Sequence, residues 1–528
     1  MSRTQTGTLV VGIDLGTTNS CIARVLETGD AQALMNQDQM LTTPSVVTYQ
    51  DGGEAIVGIH AKRLAAVMPE AVCAYVKRKM GVDPSSPDAR ITLSGRTFAP
   101  EEVSALILRK IVNDALIGQG MPPDTNVKAV ISVPAYFGSI PKTATKNAAE
   151  LAGIELLDLV HEPVAAAISY GFSRADTPMN LLVYDLGGGT FDATVVRVEG
   201  RSVRTLATDG ERLLGGYDWD EKIARWVHDQ FDARFPAAGM SLDDPQARAM
   251  LFEMAEQAKI ALSDLSTTTL NVHHNGQSLS VELTRDELER LTEGKLETTI
   301  EKTEAVLAAA REKGASQIHQ VVLVGGSSKM AAVAKRLKHI KQLSKVPFVL
   351  HEPDLAVAKG AALLANLIVS GAHRADLTGR ADRAESRLVT MVNAKSIGDV
   401  LQNRDTGEPC VVYVIPRNSE LPVSVEATFF TVREGQTAVD IQLVEERGEP
   451  SEKVAENTPL HNGKFEFPAP LPADSPILHR YTLDGTGILH VFLTEPTSGA
   501  TFEMKVDRYK KVSESDLLRL KPVLAAVS

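Results

Sequence analysis

The sequence predicts three parts: a layered α/β domain, an all-β sandwich and a short C-terminal helix. From residue 9 to about 372, β-branched runs alternate with helix-like stretches, which is the pattern of a layered α/β fold. From 393 to 507, short strand-like runs alternate with turns rich in Gly, Pro, Asn and Asp, which is typical of a sandwich. Helical character returns only at 508–528, where Pro522 is expected to curtail the helix.

These patterns divide the chain into an N-terminal domain at 7–372, a linker at 373–392, a sandwich at 393–507 and a tail at 508–528. The segment 373–387, HRADLTGRADRAESR, is dominated by charges and has no apolar period, so we expect an exposed connector there. A short solvated helix is an equally good interpretation of this segment.

Composition excludes several classes of function. The chain has 528 residues, 43% of them hydrophobic, and a net charge of −12, so it lacks the overall positive charge of a nucleic-acid-binding protein. No stretch of about 18 uninterrupted apolar residues is present, so we expect no membrane partner. Cys21, Cys73 and Cys410 lie far apart, which favours a reducing compartment. We therefore expect a cytoplasmic protein.

One short pattern occurs twice in the N-terminal domain. DLGTT at 14–18 and DLGGGT at 185–190 each follow a buried strand. Glycine lets backbone N–H groups approach phosphate oxygens, threonine adds donors, and aspartate can bind phosphate only through a divalent cation. Two such hairpins facing each other would hold a polyphosphate and its Mg²⁺. Either hairpin alone could be an ordinary β-turn, and neither a P-loop nor a dinucleotide fingerprint occurs in the chain.

Two further patterns are candidates for a nucleoside site. VVLVGGSS at 321–328 places small residues directly after an apolar strand. Glu256, Lys259 and Ser263 fall on one face of a predicted helix and could hydrogen-bond a ribose or a base. Taken separately, the first is also typical of a plain strand-to-helix turn and the second of a solvated helix face.

Together these motifs resemble the DnaK-type 70-kDa heat-shock chaperone family over nearly the whole chain, as a divergent, bacterial-type member. The resemblance implies an actin-like ATPase domain of two lobes, followed by a sandwich that binds unfolded or extended peptides. The stretches that carry it are GIDLGTTNSC at 12–21, KRKMG at 77–81, VPAYF at 133–137, HEPVAAAISYG at 161–171, DLGGGTFD at 185–192, LLGGYDWD at 213–220, EQAKIALS at 256–263 and LVGGSSKM at 323–330.

The resemblance also implies a role for individual residues around ATP or ADP and Mg²⁺, with K⁺ as an additional cation. Asp14 and Asp185 would hold Mg²⁺ through waters. Around the γ-phosphate and the attacking water would lie Lys77, Glu162, Asp192 and Thr190. The phosphates would be lined by Gly16, Thr17, Thr18, Gly187, Gly188 and Gly189, and the adenosine by Glu256, Lys259, Ser263, Gly325, Gly326, Ser327 and Asp354, with Lys329 where the family commonly has arginine.

In the sandwich, Val432 and Val439 fall at positions that line the family's peptide cleft. The family's partners also include a J-domain protein and a nucleotide exchange factor. Asp158 stands where bacterial relatives carry an arginine that contacts the J-domain, which reverses the charge there. About twenty residues follow position 507, so the sequence predicts that the family's long helical lid is missing.

The linker also departs from the family. Leu388-Val389-Thr390-Met391-Val392 keeps the apolar character of the family linker but not its aspartate, and a polar insertion precedes it. We expect this longer tether to weaken docking of the linker.

Three functions fit the sequence. The leading hypothesis is a lid-less, ATP-dependent chaperone whose hydrolysis of ATP controls its affinity for peptides. The alternative is a nucleotide-dependent binding switch or co-chaperone that serves a dedicated partner and handles few general clients. An actin-fold kinase or filament protein shares the phosphate hairpins but not the other stretches.

Overall fold

The computed structural model describes residues 7–50, 53–83, 85–172, 177–372, 388–403, 406–448, 450–506 and 514–527, and the predicted connector at 373–387 lies outside them. The N-terminal strands are β1 (Leu9–Asp14), β2 (Asn19–Val25), β3 (Ala31–Ala33), β4 (Thr43–Pro44), β5 (Val47–Tyr49), β6 (Ala55–Val57), β7 (Val72–Cys73), β8 (Ile91–Leu93), β9 (Arg96–Phe98), β10 (Val127–Val133), β11 (Glu155–His161), β12 (Met179–Leu186), β13 (Phe191–Glu199), β14 (Ser202–Glu211), β15 (Thr267–His274), β16 (Gln277–Thr284), β17 (Gln320–Val324) and β18 (Phe348–Leu350). The N-terminal helices are α1 (Ile59–Ala65), α2 (Pro100–Gly118), α3 (Ser139–Leu151), α4 (Glu162–Gly171), α5 (Gly216–Arg234), α6 (Pro245–Asp264), α7 (Arg285–Glu312), α8 (Ala331–Leu337) and α9 (Ala356–Val369). The C-terminal elements are β19 (Val389–Thr390), β20 (Ile397–Gln402), β21 (Pro409–Ile415), β22 (Val423–Phe430), β23 (Gln436–Glu446), β24 (Asn457–Leu471), β25 (Pro476–Leu483), β26 (Leu489–Thr494), β27 (Thr501–Lys505) and α10 (Glu514–Ala525).

Two mixed sheets form the cores of two lobes, as the α/β prediction requires. The first has the order β11-β10-β1-β2-β3, with β4 beside β2, and the second has the order β18-β17-β12-β13-β14-β19. In the first sheet, β1 forms an antiparallel hairpin with β2 and pairs in parallel with the later strand β10. In the second sheet, β12 does the same with β13 and with the later strand β17. The repeated sequence pattern therefore lies in a repeated structural unit.

Helices α4 and α9 pack closely on each other, and α9 also packs on β1. A Cβ on Gly360 of α9 would overlap the carbonyl oxygen of Ala165 in α4, and one on Gly12 of β1 would overlap the backbone of α9. Only glycine permits these approaches. They fix the end of β1, where Asp14 lies, relative to the start of α4, where Glu162 lies.

The C-terminal part is a sandwich of two antiparallel sheets, as predicted, with the orders β21-β20-β23-β24 and β22-β25-β26-β27. Side chains that alternate along the strands fill the space between the sheets. Ile397, Ile441 and Leu443 of the first sheet and Leu483 and Val491 of the second are buried there.

The described part of the linker docks on the N-terminal domain. Val389 and Thr390 form β19, which pairs in parallel with Val203 and Arg204 of β14. Val389 and the following Met391 and Val392 are buried. The apolar side chains of this segment are therefore the ones that pack.

The sandwich also contacts the N-terminal domain directly. Ser139 Oγ donates a hydrogen bond of 3.0 Å to the carbonyl of Gly487, and the amide of Thr208 donates one of 2.9 Å to Asn418 Oδ1. Lys142 of α3 is buried in this contact, which brings the helix α3 against the turn after β25.

Helix α10 continues through Pro522 to Ala525, so the prediction that Pro522 curtails it is wrong. Proline has no N–H group, so the carbonyl of Leu518, four residues earlier, lacks its helical hydrogen bond. Leu518 is 64% exposed on the solvent face of the helix, where water can supply that bond instead. On the opposite face, Leu520 and Val523 are buried in the core of the first lobe. Among the described helices, none combines the length and apolar character needed to cross a membrane.

Candidate functional site

The two glycine hairpins face each other. A Cβ on Gly188 would overlap the hydroxyl of Thr18, and one on Gly189 would lie 2.5 Å from Thr17 Cγ2. The chain can bring the two turns this close only because both positions lack a side chain. Backbone N–H groups and threonine hydroxyls from both lobes are therefore placed next to one another.

The turns border a cavity of about 640 Å³ between the lobes, which we call the interlobe cavity. Gly189 and Asp192, which the sequence also predicted for the site, do not line it, although Gly188 and Thr190 on either side of Gly189 do. The predicted residues that line it are Asp14, Gly16, Thr17, Thr18, Lys77, Glu162, Asp185, Gly187, Gly188, Thr190, Glu256, Lys259, Ser263, Gly325, Gly326, Ser327, Lys329 and Asp354.

Lys77 and Glu162 form a buried ion pair in this cavity. Lys77 lies on the 3₁₀ turn that follows Tyr75, a residue whose φ of 57° reverses the chain and directs the lysine inward. Burial lowers the pKa of Lys77, but the carboxylates of Glu162 and Asp14 outweigh it and leave the pKa above its usual value. Burial raises the pKa of Glu162 to about 7, although Lys77 opposes that shift. The site thus holds a fixed cation next to a carboxyl group that can accept a proton near neutral pH.

Asp14 and Asp185 end β1 and β12 on either side of the cavity. Ser132 Oγ donates a hydrogen bond of 2.8 Å to Asp14 Oδ1. Burial raises the pKa of Asp14, and burial together with the charges of Glu162 and Asp192 raises that of Asp185 well above its usual value. A single lysine does not offset these carboxylates, so a bound cation would stabilise them.

The donor set fits Mg²⁺ held through waters. In the part of the chain that the structure describes, no three His, Cys, Asp or Glu side chains converge to form a direct metal cage. Mg²⁺ keeps several of its waters and needs only one or two carboxylates besides substrate phosphates. Asp14 and Asp185 supply those two carboxylates.

Asp192 accepts backbone hydrogen bonds from Ala135 at 3.2 Å and from Tyr136 at 2.9 Å. Burial and the charge of Glu162 raise its pKa to about 8. The hydrogen bonds fix the carboxyl group near the start of β13, the strand that follows the second glycine turn.

At the other end of the cavity, three segments meet. Lys259 Nζ donates to Asp220 Oδ2 at 2.7 Å and to the carbonyl of Gly216 at 3.0 Å. Ser327 Oγ donates to the carbonyl of Gly187 at 2.9 Å, which joins the third glycine stretch to the second hairpin. Lys329 pairs with Asp354 at 2.5 Å. The helix-face motif at 256–263 and the glycine stretch at 321–328 therefore lie at one end of the cavity that the two phosphate hairpins also line.

Two residues next to this site were not predicted from the sequence. Lys62 of α1 pairs at 2.6 Å with Glu256 of α6, a residue that lines the cavity, although Lys62 itself does not line it. Ser132 positions Asp14. A hydroxyl inside the otherwise apolar run AVISV at 129–133 is a signal that could have revealed Ser132, whereas nothing in the sequence near Lys62 indicates its partner.

The peptide-site candidates lie far along the chain, in the sandwich. Val432 is 49% exposed and follows β22, and Val439 is half-buried on β23. Asp158, the position expected to meet a J-domain, is buried on β11.

The family model for the Hsp70 protein matches residues 10–523. The chain is 34% identical over 521 residues to the "Chaperone protein DnaK" of Thermotoga petrophila, Thermotoga neapolitana and Thermotoga maritima, an alignment that covers 97% of this chain and 82% of each relative. Hsp70 and DnaK proteins are ATP-dependent chaperones and ATPases, which supports the chaperone hypothesis over the switch and kinase hypotheses. This chain belongs to the Hsp70 family.

Proposed function

We propose that this protein binds ATP with Mg²⁺ in the interlobe cavity, hydrolyses it, and uses the hydrolysis to control how tightly the sandwich holds extended peptide segments. The observation that carries the proposal is the pair of facing glycine turns, with Asp14, Asp185, Lys77 and Glu162 around them. Phosphoryl transfer needs mainly positioning and charge stabilisation, which this arrangement offers.

The residues divide by the part of ATP that each would contact. The backbone and hydroxyl donors of both turns would bind the phosphates, and Lys77 would neutralise charge on the γ-phosphate. Glu162, which lines the cavity, would orient the attacking water and accept its proton, because its pKa of about 7 lies near neutral pH. Asp192 would help to orient that water from its place on β13. Thr190 would contact the γ-phosphate from the second turn.

Mg²⁺ bound through waters to Asp14 and Asp185 would supply charge neutralisation at the β- and γ-phosphates. At the opposite end, Glu256, Lys259 and Ser263 of α6 would contact the ribose and base. Lys329 would lie beside the base, and because lysine stacks less well than arginine, we expect modest base affinity.

Coupling to the sandwich would run through the linker. The amide of His161, next to Glu162, donates to Met391 Sδ at 3.3 Å. Met391 directly follows β19, which pairs with β14. A change in the position of Glu162 on ATP hydrolysis would therefore reach the docked linker through one residue.

The peptide site would lie where β20 and β23 separate, near Val439 and Val432. By analogy with the family, we propose that a J-domain protein and a nucleotide exchange factor regulate the cycle and that the protein acts in the cytoplasm.

Titration calorimetry of the purified protein with ATP tests the proposal. We expect one ATP per chain, binding that weakens when EDTA replaces Mg²⁺, and slow release of ADP and phosphate. Asp14→Asn should weaken the dependence on Mg²⁺, whereas Asp30→Asn, an exposed carboxylate in the turn after β2, should not. Saturable binding that ignores Mg²⁺, or no binding at all, would contradict the proposal.

A further inference from the structure

Three polar side chains meet inside the sandwich, where apolar residues are the norm. Asp399 of β20 lies in one sheet, and His479 and Tyr481 of β25 lie in the other. Their exposed fractions are 1%, 5% and 0%. Tyr481 Oη donates to Asp399 Oδ2 at 2.6 Å, and His479 Nδ1 lies 2.8 Å from Tyr481 Oη. We call these three residues the inter-sheet cluster.

The cluster is incompletely satisfied. Asp399 Oδ1 is buried and has no hydrogen-bond partner. A buried carboxylate oxygen is costly unless a donor or a cation meets it, and buried polar groups in folded proteins are nearly always paired. The second oxygen of Asp399 is therefore free to accept a hydrogen bond from a bound group.

The cluster lies where the first sheet splits. β20 and β23 pair from Ile397↔Glu445 to Asp399↔Leu443, and no further pairing joins them in the described residues. Both strands continue, β20 to Gln402 and β23 back to Gln436, and each stays paired on its outer side. The facing edges are thus open to an extended chain, and Asp399 stands at the closed end of this gap.

An extended peptide that pairs with these edges would direct alternate side chains into the sandwich, toward the inter-sheet cluster. The ring of Phe429 packs edge-on against His479, with 4.7 Å between the ring centroids, and Phe429 itself is half-buried. Aromatic side chains therefore adjoin the Asp399 carboxyl group: the Tyr481 hydroxyl binds Oδ2, and His479 Nδ1 lies 3.5 Å from the same oxygen.

We propose that the gap between β20 and β23 selects a peptide segment with a basic side chain, arginine above all, which binds Asp399 Oδ1. This inference rests on the proposed peptide-binding function and specifies its substrate class. A guanidinium offers several N–H donors and a flat face that packs on aromatic rings, so it satisfies both the free oxygen and the rings beside it. An apolar side chain would leave the carboxylate oxygen unpaired.

Fluorescence anisotropy with two labelled seven-residue peptides tests this proposal. The peptides are identical except for arginine or leucine at the centre, and the protein is held in ADP. We expect the arginine peptide to bind at least about tenfold more tightly to the wild-type protein. Asp399→Asn should remove most of that preference. Asp440→Asn, which removes an exposed carboxylate from the neighbouring β23, should keep it within about twofold.

Each outcome decides between the two proposals. Equal or tighter binding of the leucine peptide, or an unchanged preference in Asp399→Asn, would overturn the basic-residue inference while leaving peptide binding intact. Binding of neither peptide to the wild-type protein would overturn peptide binding itself and this inference with it. Thermal unfolding of Asp399→Asn shows whether the variant is folded, and Asp399→Leu, which should reverse the preference, provides a second folded form for the same comparison.

Discussion

The interlobe cavity and the gap between β20 and β23 differ in which parts of the sequence supply the partners of their charged residues. In the cavity, Lys77 lies among Glu162, Asp14 and Asp185, and short glycine motifs next to these residues reveal the site in the sequence. In the gap, Asp399 is buried with one open oxygen, and its partners come from a strand about eighty residues later. Local motifs thus predict the first site, whereas the second depends on the packing of two sheets.

The largest expected effect concerns the cavity. Lys77→Ala should lower the rate of ATP hydrolysis roughly 10²–10³-fold, because it removes the fixed charge at the γ-phosphate. Binding of Mg²⁺-ATP should remain measurable, since both glycine turns are intact. Single-turnover assays with radiolabelled ATP measure the rate. Lys79→Ala, on the same turn but outside the cavity lining, serves as the matched control, and unchanged hydrolysis in Lys77→Ala would remove the lysine from the mechanism.

Gly188→Ala should have the next largest effect. Its methyl group would overlap the hydroxyl of Thr18, so the two turns must move apart and ATP affinity should fall about tenfold or more. Gly294→Ala is the control, because a Cβ there meets only open space on α7 and alanine favours a helix. Calorimetry with ATP compares the two variants. Equal affinities in both would show that the turns do not grip the nucleotide jointly.

A third variant breaks the connection between the two regions. Val389→Asp buries a charge in β19 and should undock the linker, so that ATP no longer accelerates peptide release. We expect a several-fold acceleration in the wild-type protein and almost none in the variant. Thr390→Val is the control, since the Thr390 hydroxyl is buried without a partner and its loss should leave the strand in place. Stopped-flow anisotropy of a bound peptide measures release, and normal acceleration in Val389→Asp would argue for another route of coupling.

The smallest effect is a pH dependence of docking. In the docked form burial lowers the pKa of Lys142 to about 8 from the usual 10.5, an effect that Asp484 and Glu445 only partly oppose. Between pH 8 and 10.5, Lys142 is protonated in the undocked form but largely neutral in the docked form. Raising the pH from 8 toward 10 should therefore favour docking and increase its equilibrium constant by at most about tenfold per pH unit. Fluorescence energy transfer between dyes on the two domains reports the docked fraction. Lys142→Met should abolish this dependence and the exposed Lys335→Met should retain it, whereas the same dependence in Lys142→Met would exclude this lysine as its source.

The sequence predicted the parts of the molecule that short stretches encode. The strands before Asp14 and Asp185, and the turns after them, follow from buried β-branched runs and adjacent glycines, and the structure has both hairpins where the pattern indicates. The contact between α4 and α9 and the Lys62–Glu256 pair join residues distant in sequence, so no local pattern reveals them. The prediction that Pro522 ends α10 is wrong because local propensity does not include the packing of α10 on the first lobe.

The central claim, that one ATP is held by both glycine turns and that its hydrolysis is coupled to peptide binding, is tested most directly by the steady-state ATPase rate with and without saturating extended peptide. We predict Mg²⁺-dependent hydrolysis that rises several-fold when the peptide is added. A rate that stays at the buffer background, or that is the same with and without peptide, would contradict the claim.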